Sequence, residues 1–234
     1  MKIVVYADVH GNKYALENLM KTDDYKNADL RVFLGDAINM CPYPDECIDM
    51  IKNSGDIFLL GNHEIYSSSG IPYDDLGCFD DEKLQHIKYM AKKISKDNMK
   101  YIKTLPKEYV CEVEKNGFYF VHYPWETDEI VFDDPDNEAP PTIKTANLFA
   151  NIKQKYVFFG HSHKPSIVKK GNQTFVCVGT LGVRNPGNYV LVEADGKKVK
   201  ILPKQIYFDY ERLKREVLEE NYPFAKEYIR RFED

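Results

Sequence analysis

The chain opens on an apolar run, Ile3 to Ala7, followed by Asn12 to Met20, where Ala15, Leu16 and Leu19 recur at spacings of three and four. The first pattern predicts a strand and the second a helix, because strand side chains alternate between faces while helical ones return to the same face every third or fourth residue. Leu30 to Leu34 then reads as a strand. Pro44 to Ile51, with Cys47, Ile48 and Ile51 on one face, reads as a helix, and Ile57 to Leu60 as a third strand. Strand alternating with helix predicts parallel pairing through crossover helices. Each of these strands runs into a cluster of Gly, Asp, Asn or His, at the strand ends where open α/β sheets build their sites.

Residues 65 to 82 are rich in turn formers (Ser67-Ser68-Ser69-Gly70, Ile71-Pro72, Gly77) and predict a loop or small cap beside that edge. Glu82 to Leu105 reads as helical and stops before Pro106. From Tyr109 the pattern becomes β-rich. Tyr109 to Val113 and Phe118 to Val121 flank Asn116-Gly117, a hairpin-turn dipeptide, and Tyr156 to Phe159, Thr174 to Val178, Tyr189 to Glu193 and Val199 to Leu202 follow. Asp195-Gly196 separates the last two. The tail at about 209–232 carries Leu213, Val217, Leu218, Phe224, Tyr228 and Ile229 among charges, predicting one or two amphipathic helices interrupted at Pro223. No linker divides the halves and no repeat is present, so residues 1–234 read as one domain whose sheets draw on both halves.

Composition narrows the class. Hydrophobic residues make up 43 % and charged residues 29 % of 234, and apolar runs extend only a few residues, which excludes a spanning helix, a collagen-like chain and general disorder. The net charge of −5 offers no field to recruit a nucleic-acid backbone or an anionic membrane. Cys41, Cys47, Cys78, Cys111 and Cys177 are odd in number and contain no C-x-x-C pair, which predicts buried thiols rather than a disulfide framework or a zinc-thiolate site. With a strand-like start in place of a signal sequence, they point to a cytoplasmic protein.

The candidate chemistry lies in five clusters: Asp8-Val9-His10-Gly11-Asn12, Gly35-Asp36, Gly61-Asn62-His63-Glu64, His122, and Gly160-His161-Ser162-His163. Five of the six histidines fall within them; His86 stands outside, in a charged helical stretch, and reads as a surface residue. Carboxylate, imidazole and amide donors without thiolate suit Mn, Fe, Zn, Co or Ni, with manganese the first expectation. Partners two apart on extended chain, as in Asp8-x-His10 and His161-x-His163, project to one side and can converge. Gly11, Gly35, Gly61 and Gly160 fit sharp turns or close backbone approach. Each cluster alone reads as an ordinary turn or a satisfied imidazole; their joint recurrence at strand ends points to a metal site.

The set D-x-H, GD, GNH, H and GHxH resembles the calcineurin-like metallophosphoesterase superfamily, over Met1 to about Asp195. The contexts Asp8-Val9-His10-Gly11-Asn12 and Pro42-Tyr43-Pro44-Asp45-Glu46-Cys47 are similar to its small single-domain bacterial and archaeal phosphodiesterase branch. The resemblance implies a four-layer αββα sandwich with two mixed β-sheets flanked by helices. It also implies two divalent metal ions, one held by Asp8, His10 and His163 and one by Asn62, His122 and His161, with Asp36 bridging. His63 becomes the general acid or phosphate contact, and the reaction the in-line attack of a metal-bridging hydroxide on a small phosphodiester or phosphomonoester, for which a nucleotide is one candidate.

Two departures matter. In the protein-phosphatase branch the segment after Gly-Asp carries an Asp that orients the histidine and a phosphate-grasping Arg; here Asn39 and Met40 stand there. His122 is followed by Tyr123-Pro124-Trp125 where glycine is usual, and Tyr123 and Trp125 read equally as a stacking surface for a base or as packing under the next loop. Seven acids between Glu126 and Glu138, with no Lys or Arg, predict a solvated loop that disfavours polyanions if it overhangs the site. Arg184 reads as a phosphate contact or as the partner of a surface carboxylate. The competing readings are a catalytically silent binding scaffold, which tends to lose ligands that this chain retains, and a DNA nuclease, which would need a basic groove. The expected partner is a small phosphorylated molecule, not a membrane or a nucleic-acid polymer; oligomeric state is left open.

Overall fold

The computed structural model describes residues 1–71, 77, 79–124, 146, 148–196 and 198–233. In chain order its elements are β1 (Lys2–Tyr6), α1 (Lys13–Lys21), α2 (Asp23–Lys26), β2 (Leu30–Phe33), α3 (Pro44–Ser54), β3 (Ile57–Phe58), α4 (Asn62–Ser68), α5 (Asp81–Lys92), α6 (Lys96–Ile102), β4 (Glu108–Val113), β5 (Asn116–Val121), β6 (Tyr156–Phe159), β7 (Ser166–Lys170), β8 (Gln173–Cys177), β9 (Gly187–Ala194), β10 (Val199–Ile206), α7 (Tyr210–Glu220) and α8 (Ala225–Glu233). The strands form two five-stranded sheets, ordered β10-β9-β1-β2-β3 and β4-β5-β6-β8-β7. Both are mixed: β1, β2 and β3 run parallel with β9 and β10 antiparallel, and β5, β6 and β8 run parallel with β4 and β7 antiparallel.

The alternation of β1 explains the layering. Ile3, Val5 and Ala7 enter a core shared with Val32, Leu34, Phe118, Phe120, Phe158 and Val176, which joins the two sheets face to face. Val4 and Tyr6 point the other way, into a second core built with Leu16 and Leu19 of α1, Ile48 and Ile51 of α3, and Leu213 and Val217 of α7. The outer face of the other sheet, Tyr119, Val121, Val157, Phe159 and Phe175, packs on Ala146 and Phe149. Each fully buried side chain of this size is worth about 1.5–3 kcal/mol, so the two-faced strands supply most of the driving force for the sandwich. This is the helix-flanked pair of mixed sheets that the resemblance implies. At the foot of the first sheet lies a polar exception: the Asp56 carboxylate accepts from the hydroxyls of Tyr6 (2.6 Å) and Tyr25 (2.7 Å) and from Nε of Arg31 (2.6 Å).

Several expectations change. The β4–β5 turn is Glu114-Lys115, with φ of +50° and +64°, while Asn116 and Gly117 already pair within β5. The Asn116 amide donates to the Glu114 carbonyl at 3.0 Å, so it supports a turn that it does not form. The helical stretch 82–105 divides in two because Ser95 caps α6 by accepting from the Asn98 N–H. α4 begins at Asn62, so the third cluster occupies the first turn of a helix that runs into the stretch read as loop. The edge strand β7, rich in lysine and half exposed, has no clear apolar alternation to betray it. His86 is fully buried and not on the surface: with Ile87 and Met90 it forms the inward face of α5. Among the described residues no helix is long and apolar enough to cross a membrane.

Candidate metal centre

Five strand ends meet at one edge of the sandwich. Asp8 and His10 follow β1, Asp36 follows β2, Asn62 and His63 open α4 after β3, His122 follows β5, and His161 and His163 follow β6. Asp8, His10, Asp36, His161 and His163 all lie in the left-handed region, with φ between +49° and +67°. The paired donors therefore converge through left-handed turns and not along extended chain. Each such conformation costs an L-residue roughly 1–2 kcal/mol and persists only where surrounding bonds over-determine it. Here they do: the N–H groups of Asp8 and His10 donate to the carbonyls of Gly35 and Asp36, and His161 N–H donates to Asp8 Oδ2. Gly160 lies so close to the Asp8 carboxylate that a Cβ there would stand 2.7 Å from Oδ2.

The side chains fall into two donor sets. In the first, Nε2 of His10 and His163 lie 3.0 Å apart, with Asp8 Oδ1 3.2 Å from His163 and 3.6 Å from His10. In the second, Asn62 Oδ1 lies 3.0 Å from His122 Nε2 and 2.9 Å from His161 Nδ1. Asp36 Oδ2 stands between them, 3.2 Å from His122 Nε2 and 3.9 Å from His10 Nε2. Within each of three trios (Asp8, His10 and His163; His10, Asp36 and His63; Asp36, His122 and His161) the donor atoms lie within 4.8 Å of one another.

These residues fit divalent cations. Asp8 Oδ1 and His122 Nδ1 are buried without a hydrogen-bond partner, and two imidazole nitrogens face each other at hydrogen-bond distance in a crowd of acceptors. His10 donates from Nδ1 to the Ile38 carbonyl at 3.1 Å, which leaves the Nε2 lone pair aimed into the cluster. Burial raises the proton affinity of Asp8 and Asp36, but the imidazoles, His163 beside Asp8 and His122 beside Asp36, outweigh it and hold both carboxyls well below their ordinary range. Both are therefore anionic, as ligands must be.

His63 stands beside the two sets and forms a trio with His10 and Asp36, its Nε2 3.9 Å from Asp36 Oδ2. Burial pushes its pKa down to about 3, with Asp36 opposing and His10 adding to the shift. Its Nδ1 accepts from Nδ2 of Asn39 at 2.8 Å, which keeps the ring proton on Nε2, the nitrogen nearer Asp36. Asn39, which departs from the histidine-orienting Asp of the protein-phosphatase branch, therefore engages His63 through its amide. Tyr66 closes the other side of the ring, edge-on at 5.5 Å.

Glu64 stands in the third cluster, but sequence reasoning gave it no role. Fully buried, it accepts backbone N–H bonds from Asp36 (2.8 Å), Ala37 (2.8 Å) and Gly61 (2.9 Å), tying the loop after β2 to the start of α4. Burial, then Asp36, pushes its pKa up to about 7. Its place three residues after Gly61 is the capping-box position, the one signal that marked it. Among the remaining candidates, Tyr123 is buried with its ring tilted over His161 at 5.1 Å. Arg184 is exposed, on a stretch whose Gly182 N–H donates to the Asp8 carbonyl. Trp125 and the acidic stretch 126–138 lie outside the described residues.

Comparison with known proteins places this geometry in context. The family description "Calcineurin-like phosphoesterase superfamily domain" matches residues 1–197. An uncharacterized protein of Methanocaldococcus jannaschii is 24 % identical over 231 residues, covering 97 % of this chain and 90 % of its own. A metallophosphoesterase of Sphaerobacter thermophilus superposes with a TM-score of 0.75 at 18 % identity, covering 99 % of this chain and 97 % of its own. A hypothetical protein of Pyrococcus horikoshii does so with 0.80 at 21 % identity, covering 98 % and 96 %.

Proposed function

This chain belongs to the calcineurin-like phosphoesterase superfamily, and on that premise we propose that it hydrolyses a small phosphodiester or phosphomonoester with two divalent metal ions. The observation that carries the reading is the pair of donor sets that share Asp36 while His63 stands beside them. Asp8, His10 and His163 would hold one cation, Asn62, His122 and His161 the other, and Asp36 both. When bound, the ions supply positive charge against the phosphoryl oxygens and make water acidic enough to attack in line with the leaving group.

The protein's own groups do the rest. Asn39 holds the His63 proton on Nε2, from which the neutral ring donates a hydrogen bond to a phosphoryl oxygen, while the departing oxygen takes its proton from solvent. Glu64 sets the distance between Asp36 and His63 by binding the backbone on both sides. Arg184 is assigned to the anionic part of the substrate, and Tyr123 and Trp125 to its leaving group. The net charge of −5 and the acids of 126–138 support a small substrate over a nucleic-acid polymer.

The test is hydrolysis of bis(4-nitrophenyl) phosphate and 4-nitrophenyl phosphate by purified protein supplemented in turn with manganese, zinc, nickel and cobalt, alongside elemental analysis. Metal-dependent turnover that disappears in Asp36→Asn supports the reading. Metal-loaded protein inactive on both, and on nucleotides and cyclic nucleotides, would replace it with the binding scaffold; activity retained in Asp36→Asn and His63→Ala would assign it to other residues.

A further inference from the structure

The loop from Asp36 to Cys41 contains two consecutive non-glycine residues in the left-handed region, Asn39 at φ +68° and Met40 at +63°. L-residues resist that conformation, so contacts outside the loop must hold it. Both polar groups of the Met40 backbone are engaged by residues distant in sequence. Its N–H donates to Nε2 of His86 on α5 at 3.0 Å, and its carbonyl accepts the hydroxyl of Tyr222, which lies between α7 and α8. His86 can accept there because its own proton sits on Nδ1, donated to the Pro223 carbonyl at 2.9 Å.

The bracket is buried and well packed. Met40, His86 and Tyr222 are buried, Tyr222 stacks on Tyr89 at 5.9 Å, and Tyr228 meets the His86 ring edge-on at 4.7 Å. Tyr222 and Pro223 lie beyond the residues that match the family description. The C-terminal helices therefore reach the residue adjacent to Asn39, whose amide engages His63.

We propose that Tyr222 and His86 are positioning residues: by bracketing the Met40 peptide they hold Asn39 in the one conformation from which it orients His63. Neither touches the donor sets. Their effect passes through Asn39, so losing the bracket loosens the orientation of His63 while leaving the cation ligands in place. Only the kinetic arm of the test rests on the phosphoesterase reading.

Tyr222→Phe removes a single hydroxyl and keeps the ring, and His86→Gln keeps an acceptor where His86→Leu removes it. In zinc-loaded, full-length protein with 15N-labelled imidazoles, His63 should show one tautomer in the wild type and a mixture in Tyr222→Phe and His86→Leu, with His86→Gln intermediate. An unchanged His63 signature in Tyr222→Phe would overturn the proposal. In the kinetic arm, Tyr222→Phe should lower kcat on bis(4-nitrophenyl) phosphate about tenfold, at unchanged KM and metal content, because small displacements of a catalytic group are costly. The double variant Asn39→Ala/Tyr222→Phe should be no slower than Asn39→Ala alone; multiplicative losses would overturn the proposal as well. A wild-type protein that hydrolyses no aryl phosphate would defeat the phosphoesterase reading, and the imidazole spectra would still decide this one.

Discussion

Nδ2 of Asn39 stands 2.8 Å from Nδ1 of His63 and donates to it. The ring proton consequently sits on Nε2, beside Asp36. Replacing His63 with Ala should lower kcat by about 10²- to 10³-fold, the usual worth of a positioned hydrogen-bond donor to charge developing in the transition state, with metal content unchanged. Asn39→Ala keeps the histidine and loses only its orientation, so about a tenfold loss is expected. Steady-state kinetics with an aryl phosphodiester, paired with elemental analysis, measures both; parity of His63→Ala with wild type would remove His63 from the reaction.

Asp36 Oδ2 lies within 4 Å of imidazole nitrogens of both donor sets. Asp36→Asn removes a charge that two cations would share, and should lower bound divalent metal as well as activity. Stripping the wild-type protein with a chelator should lower its Tm, and restoring a divalent ion should raise it, because a ligand that binds only the folded chain stabilises it by mass action. A Tm indifferent to chelation and to added metal would argue against tight binding.

Glu64 accepts three backbone N–H bonds that an amide cannot all accept. Glu64→Gln sets an NH₂ group against at least one buried N–H, at a cost of about 1–3 kcal/mol. Denaturant unfolding should show a lower midpoint with an unchanged slope. An unaltered midpoint would mean that the loop after β2 and the start of α4 are held by other contacts.

His86 is neutral in the fold, since burial pushes its pKa down to about 4 from 6.5. The unfolded chain takes up that proton near pH 6.5 and the folded chain only near 4, so acidification between those values favours unfolding. Over the whole window this amounts to about 3 kcal/mol, with no contribution from this group above pH 6.5. Chemical denaturation of wild type and His86→Gln across pH 4 to 7 should show the shallower dependence in the variant; parallel curves would refute the assignment.

Asp56 satisfies Tyr6, Tyr25 and Arg31 at once. Asp56→Ala leaves two tyrosine hydroxyls and a guanidinium without their acceptor and should destabilise the fold by about 3–5 kcal/mol. Neither Asp56 nor any of its three partners belongs to the donor sets, and Arg31 lies near the start of β2, away from Asp36, so failure of this network should appear in stability and not in metal affinity. Equilibrium unfolding together with metal titration separates the two.

Much of the fold can be read locally. β1 alternates Ile3, Val5 and Ala7 against Val4 and Tyr6, and that alternation alone requires a sheet covered on both faces. β7 and the Ser95 cap were not legible, one because an edge strand needs little apolar surface, the other because a serine within a helical pattern is ambiguous until the chain breaks there. The hairpin turn was displaced by two residues because Asn116 serves the turn with its side chain and the strand with its backbone.

The site divides along the same line. Donor types and spacings are properties of short segments, and Asp8, His10, Asp36, Asn62, His122, His161 and His163 could be singled out from sequence as one cluster because strand ends carry them into one place. What the chain alone determined was this inventory and the alternating strands that gather it. What only the tertiary structure decided was the support behind it: Asn39 against His63, Glu64 across two loops, and His86 with Tyr222 around Met40. Those contacts join residues up to 182 positions apart, and the cost of leaving a buried N–H or carbonyl unpaired, which no local pattern encodes, selects them.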